Sequence, residues 1–364
     1  MRWLTARNDI PTLLHLLVLG GIGVIAVTSA THMREPSFWG GSGFRQLVFV
    51  LAGLAVYWLV QRLDYRTWAD FWVPAYLAGV ASLALLFVFA RPIANTRAWY
   101  ELGSLRFQPS EPMKAIVALA AAAFLSESAG KLDFWRLAKL AAIVGLPIGL
   151  IVLQPDMGSA LTFVPLFLVL AWLAGIRARV LVVLALVALL VAPIGWFKVL
   201  KPYQKERIVT LFDPERDPSG SGYQVIQSKI AVGSGRVFGR GLFHGSQSRL
   251  DYLPARETDF VLGVIAEETG FIGVLAVLGL YLSLILRALE TAALARDQLG
   301  TYLAAGIAAI WAGQLFVNTG MVTGVFPTVG VPLPVLSYGG SSVLATFLAF
   351  ALVGSVRSGR IVNQ

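Results

Sequence analysis

Apolar runs of about 20 residues, the length of helix that crosses the hydrocarbon of a bilayer, recur along most of this chain. They fall near 11–30, 43–61, 70–90, 110–126, 137–153, 156–174, 179–197, 272–290, 302–321 and 339–356 of the 364 residues. Only 13% of residues are charged, whereas a soluble chain is about a quarter charged. The pattern predicts an all-α polytopic integral membrane protein, a single domain over 1–364 of about ten transmembrane helices. The first run is too long for a cleaved signal and reads as a signal anchor. Only Gln154-Pro155 separates the fifth and sixth runs, so that turn is expected in the outer headgroup layer, shielded by neighbouring helices.

Lys and Arg of short loops set orientation. With the N-terminus inside, the inner segments hold Arg2, Arg7, Arg62, Arg66, Lys131, Arg136, Lys139, Arg177, Arg179, Arg287, Arg296, Arg357 and Arg360. The short outer ones hold Arg34, Arg45, Arg91, Arg97, Arg106 and Lys114. The bias predicts both termini in the cytoplasm and the long stretch 198–271 outside. The net charge of +9 then belongs to membrane flanks and anionic lipid headgroups rather than to nucleic acid. There is no cysteine, which excludes disulfides and thiolate metal sites. The three histidines, His15, His32 and His244, are scattered, and no metal site is expected of them. His15, inside an apolar run, reads as a core residue.

The stretch Tyr223–Gly270 is too polar and Gly-rich to span a membrane. Gly233-Ser234-Gly235 and Gly239-Arg240-Gly241 read as turns, and exposed amides beside Arg236 and Arg240 would suit an anion. After Pro254 a helix is expected, with Thr258 as its cap. Asp259, Gly263 and Ala266 then share one stripe, a carboxylate beside two small residues that leave room for a large ligand. The competing reading is a solvated loop in which Asp259 only complements a positive helix end. Upstream, Tyr203–Ile208 reads as a surface helix stopped at Pro214, with Lys201, Lys205 and Arg207 on phosphate or, as the preferred reading, on lipid headgroups.

Charges at membrane depth are costly unless paired or functional. Glu111 and Lys114 share a helix face, and Asp156 begins the sixth run at the same outer depth. Lys114 and Asp156 are expected to meet, either as an ion pair locking two helices or as substrate contacts. Asn95–Tyr100, with Arg97 and Trp99, and then Arg106–Glu111 place cations and aromatics at the interface, as a ligand site or as an anchoring belt. Gly320–Ser342 is uncharged, apolar and broken by Pro327, Pro332 and Pro334, which predicts a re-entrant segment over 322–338. Ser337 and Tyr338 then open the last helix. No internal repeat is found.

Four blocks carry a resemblance: Arg97–Lys114 with Gln108-Pro109-Ser110-Glu111; Gln154-Pro155-Asp156-Met157-Gly158; Tyr223–Gly270; and Pro332–Ser342 with Leu336-Ser337-Tyr338-Gly339-Gly340-Ser341-Ser342. In this order they resemble the SEDS family (shape, elongation, division and sporulation) over nearly the whole chain. Gln227–Ala231 and Gly245-Ser246-Gln247 are more similar to its elongation branch. Two positions depart from the family pattern: Glu257 where histidine is usual before the Thr-Asp pair, and Arg240 where lysine is common.

The resemblance implies a peptidoglycan glycosyltransferase of the bacterial cytoplasmic membrane, polymerising lipid II outside it. It also implies a class B penicillin-binding protein as transpeptidase partner. The residues are compatible with that chemistry. A sugar hydroxyl is a poor nucleophile, so a carboxylate base helps, and inversion to a β-1,4 bond needs only one. Asp259 is the candidate. Arg97, Lys114, Arg236 and Arg240 are candidates to steady the departing pyrophosphate. Trp99, Glu111, Asp156, Ser337 and Tyr338 complete the expected substrate-binding set. A divalent cation could share the work, though no carboxylate cluster marks one. A lipid II flippase and a non-catalytic scaffold are the alternative readings.

Overall fold

A computed structural model describes residues 9–93, 96–103, 105–127, 133–218 and 220–359. Arg2, Arg7, Asn95, Lys131 and Arg360 of the sequence reading lie outside them. All ten apolar runs are helical. The first five give α1 (Ile10–Thr31), α2 (Ser42–Gln61), a short α3 (Tyr65–Asp70) leading into α4 (Trp72–Phe89), α5 (Ser110–Ser126) and α6 (Phe134–Leu153). The sixth is split into α7 (Met157–Leu161) and α8 (Phe163–Leu173), and the seventh is α9 (Ala178–Ile194). The connection that follows holds α10 (Pro202–Phe212), α11 (Ser221–Gly235) and α12 (Ser246–Arg249). The last three runs are α13 (Val261–Ala293), α14 (Gln298–Val322) and α15 (Gly340–Gly359). Among the described residues, seven helices are long and apolar enough to cross a membrane; α5, α7–α8 and α9 are shorter or broken.

Aspartates start several helices by accepting amides of the first turn: Asp133 from Arg136, Asp156 from Ser159 and Asp297 from Gly300. Such caps satisfy donors the helix leaves open. The bundle is built around α14 and α15, its most enclosed spans. α14 packs on α5, α8 and α13, and α15 packs on α2 and α5. Ala118, Ala120, Ala121 and Ala122 of α5 are fully buried, as is Ala304 of α14. Between helices in lipid, where burial of apolar area drives little, such small side chains gain contact by letting backbones approach closely. A two-stranded antiparallel ribbon, Tyr100–Leu102 with Leu105–Phe107, is added to this helical fold. Its three-residue strands gave no alternating signal to read from sequence.

Helix α13 starts at Val261, so the helix expected after Pro254 and the apolar run at 272–290 belong to one element. Gly270 sits inside it with φ 69° and ψ −166°, which only a glycine adopts without strain. The break frees carbonyls, and the segment after α11 takes them: Arg240 donates to Glu267 O (3.0 Å) and Gly241 to Glu268 O (2.9 Å). In return Phe271 and Ile272 donate to the Arg236 and Val237 carbonyls. This corrects the reading of Gly239-Arg240-Gly241 as an anion cradle, because the Arg240 and Gly241 amides are consumed in clasping α13 and that of Gly239 in bonding Gly235 O. Gly233-Ser234-Gly235 is no turn either; it is the last turn of α11.

Residues 323–339 form no helix, yet Val331, Leu333, Val335, Leu336 and Ser337 are buried. Their backbone is paired by side chains from distant helices. Gln46 of α2 donates to the Val335 and Ser337 carbonyls (2.9 and 3.0 Å), Tyr281 of α13 to Pro334 O, and Asn318 of α14 to Val331 O (2.7 Å).

Candidate functional site

Four breaks in helical structure meet at one end of the bundle: the turn before α13, the start of α7, the irregular segment after α14, and the approach to α5. Ala255 has φ 48°, and its carbonyl collects the amides of Thr258, Asp259 and Phe260 (3.0–3.2 Å). Thr258 is therefore not a helix cap; its hydroxyl donates to Ala255 O at 3.3 Å, and the helix begins at Val261 with no side-chain cap. Asn318 Nδ2 donates to Asp259 O at 2.8 Å as well as to Val331 O. Ser337, 1% exposed, donates its hydroxyl to Thr258 O and accepts the Leu333 amide. Tyr338 N donates to Glu257 O at 2.8 Å. The backbone around Asp259 is thus fixed from both sides, and its carboxylate faces Gly330, where a Cβ would lie 3.4 Å from Oδ2.

Burial pushes the Asp259 carboxyl from 3.8 up to about 6. The Arg207 guanidinium on α10 works against that rise, while the charges of Asp156 and Glu257 add to it. Asp156 caps α7, which leans on the Val329 and Gly330 carbonyls through Gly158. So Asp156 and Asp259 flank the same irregular segment. Tyr203, also on α10, reaches over Asp156 to donate to Pro155 O (3.3 Å).

The expected Lys114–Asp156 pair is corrected. Lys114 Nζ lies 2.7 Å from Glu111 Oε1, both nearly fully buried. Asp156 instead accepts from Gln108 Nε2 (3.0 Å) and the Ser159 hydroxyl (2.7 Å). Gln108, on the approach to α5, takes up Asp156, and a partner three residues away on its own helix is the easier one for Lys114. Asp156 still lies within electrostatic reach of both Glu111 and Lys114. The room expected beside Asp259 is also corrected. Gly263 and Ala266 are buried because α11 packs there: Ser228 and Leu253 lie against Gly263, and Gly235 abuts the Ala266 carbonyl. The small residues admit a helix, not a ligand.

The other expected contacts are distributed. Arg97 is exposed and caps the end of α4 through Phe87 O (3.1 Å). Arg236 and Arg240 are exposed on the clasp; Arg240 reaches Ser246 Oγ (2.8 Å). Trp99 is half-buried, as is Tyr338, which packs on Phe49. Sequence reading missed Tyr203 and Asn318 here. From sequence Arg207 is open to phosphate or headgroup contact with headgroups preferred, and nothing in its spacing separates the two roles. No group of three or more His, Asp or Glu stands together among the described residues. They supply no protein cage for a divalent cation, and no step here depends on one.

Residues 10–360 match the FtsW/RodA/SpoVE family, described as cell cycle protein. The chain belongs to this family, which is the SEDS family of the sequence reading. It is 36% identical over 359 residues to the peptidoglycan glycosyltransferase MrdB of Escherichia coli K12, covering 98% of this chain and 95% of the relative. A solved structure concerned with how a peptidoglycan synthase complex coordinates polymerization and crosslinking aligns with TM-score 0.82 and 35% identity, over 98% of this chain and 99% of the other. The rod shape determining protein RodA of Thermus thermophilus aligns with TM-score 0.72 and 29% identity, over 97% of each.

Proposed function

We propose that this peptidoglycan glycosyltransferase polymerises lipid II at the outer face of the bacterial cytoplasmic membrane, with Asp259 as the general base. The observation that carries the reading is a single carboxylate, locked by its backbone and raised to about 6 by burial. A base works best when its pKa approaches the working pH. Asp259 takes the proton of the acceptor's 4-hydroxyl while that oxygen attacks the donor's anomeric carbon. The bond to pyrophosphate breaks with inversion, as one base and one displacement require. Arg207 is the cation nearest this chemistry by its effect on Asp259 and steadies the leaving charge. Lys114 is already neutralised by Glu111, which makes it a positioning group rather than the first phosphate contact.

In this reading both termini are cytoplasmic, 198–271 forms the outer face, and 322–338 enters the bundle from that side. The activity serves cell elongation. The partner is a class B penicillin-binding protein, supported by the likeness to a complex that polymerises and crosslinks. Purified protein with labelled lipid II tests the proposal. Glycan ladders are expected; translocation without ladders would make the protein a flippase, and neither would make it a scaffold.

A further inference from the structure

Arg256 is the largest side chain buried to below 2% exposure, at 1%. Its Nε donates to Ala30 O, one of the last carbonyls of α1, and its Nη2 pairs with Asp251 Oδ1. Asp251 is held a second time by Arg34 Nε at 2.8 Å, from the loop after α1. The segment so pinned is conformationally costly. Asp251 has φ 60° and Ala255 φ 48°, left-handed values that side chains other than glycine disfavour. Ala255 precedes Arg256 directly, and its carbonyl gathers the amides of 258, 259 and 260.

We infer that Arg256 is a positioning residue for the reaction: it pins a left-handed turn to the end of α1 and so sets where the Asp259 carboxylate lies. The inference rests on the reading of Asp259 as base. A side chain that only filled space would not need two acceptors on two different segments. The guanidinium fork meets both at once, which a lysine ammonium on its flexible stem does not. Without it, the strain at Ala255 is relieved by rotating its carbonyl away, and three amides, that of Asp259 among them, lose their common acceptor. The charged and titratable groups that face Asp259 are Arg207 from α10, Asp156 from the start of α7 and Glu257 from its own turn. None of them contacts Arg256 in the structure's hydrogen bonds or ion pairs, so replacing Arg256 acts on Asp259 through the turn.

The test is steady-state polymerisation of lipid II from pH 5 to 8 by full-length Arg256→Met and Arg256→Lys, beside wild type and Asp259→Asn. Arg256→Met leaves Asp251 paired with Arg34, so no buried charge is orphaned. It is expected to lower kcat about tenfold or more, the scale of losses when a reacting group is misplaced, with KM within about twofold. The acid limb of its pH profile should move to lower pH, because a released carboxylate gains water. Arg256→Lys should show the same changes, smaller. Adding Ala255→Gly to Arg256→Met should restore about fivefold in kcat, since glycine adopts the left-handed turn without strain.

A structural role alone would reduce the folded fraction and leave kcat per folded molecule, KM and the acid limb unchanged, and that result overturns the inference. If Arg256→Met does not fold, the lysine variant decides by the same readouts: wild-type kcat and limb overturn, a shifted limb supports. Asp259→Asn that still makes ladders removes the base, and this inference with it. An inactive Asp259→Asn beside unperturbed Arg256 variants removes this inference alone.

Discussion

Replacing Asp259 by Asn should abolish turnover while leaving the fold as stable as before or more so. The two effects have one cause. The native carboxyl holds its proton up to about pH 6, whereas an ordinary aspartate releases it near 3.8. Folding therefore takes up a proton between these values. The contribution of this group to stability falls as pH rises across that window and stays at its lower level above it. At 1.36 kcal/mol per unit, the charged form costs the fold about 3 kcal/mol at pH 8, an upper figure because Asp259 keeps some contact with solvent. Asn removes that cost and cannot accept the acceptor's proton, so polymerisation should fall by about a hundredfold or more. If Asp259 were only a charge complementing a helix end, the sign would reverse, and Asn would cost up to about 1 kcal/mol. The assay is ladder formation by the purified variant, with melting curves at pH 4.5 and pH 8 and lipid II affinity. Lost ladders, retained affinity and a melting temperature gained more at pH 8 than at pH 4.5 are expected. Wild-type turnover should rise through about pH 6 with the slope of one proton. Near-normal ladders, or a melting temperature that drops at pH 8, would refute the reasoning.

Three further outcomes are expected. Glu111→Gln or Lys114→Met alone should destabilise by about 3–5 kcal/mol, because each leaves a buried charge, while the double variant should recover most of that; thermal melting of all three in detergent checks the cycle. Asn318→Leu, which unpairs the Asp259 and Val331 carbonyls together, should cost about 2–4 kcal/mol of stability and lower kcat more than it raises KM; kinetics beside melting separate the two. Since the chain has no cysteine, Phe238→Cys, on a side chain 79% exposed, should react with an impermeant thiol reagent in intact cells. Leu294→Cys should not, and the reverse labelling would overturn the orientation.

What could be read from sequence was what periodicity and composition carry. Ten apolar runs became helices, and Asp156 and Asp259 were singled out by residue type in a polar or boundary position. The errors share one origin, the use of local spacing for residues whose neighbours are far away in the chain. Gly263 and Ala266 are small beside Asp259 in sequence, but α11 occupies the space. The Arg240 and Gly241 amides are exposed in isolation, but Gly270, some thirty residues later, frees the carbonyls that take them. Lys114 and Asp156 are placed at one depth by sequence, but Glu111 takes the first and Gln108 the second. Arg207 lies about fifty residues from Asp259, and no pattern within its own helix distinguishes a site cation from a headgroup anchor.

The same distance explains why an apolar, proline-broken segment stands beside Asp259. Irregular backbone inside a helical bundle must have its amides and carbonyls paired, since there is no water to take them. For 323–339 that pairing comes from Gln46, Tyr281, Asn318 and Ser337. Two of these four also bond the turn that carries Asp259: Asn318 at the Asp259 carbonyl and Ser337 at the Thr258 carbonyl. The bonds that make the segment tolerable are therefore the bonds that hold Asp259 in place. Helix α13 is broken at Gly270, so Val261–Thr269 form a separate helical arm ahead of the span that follows. In the proposed orientation that arm stands at the outer face, where a sugar substrate is wet and its lipid tail is not. A site of this kind needs a rigid carboxylate at the boundary between those two solvents. Pairing an irregular segment to the turn ahead of that arm supplies one.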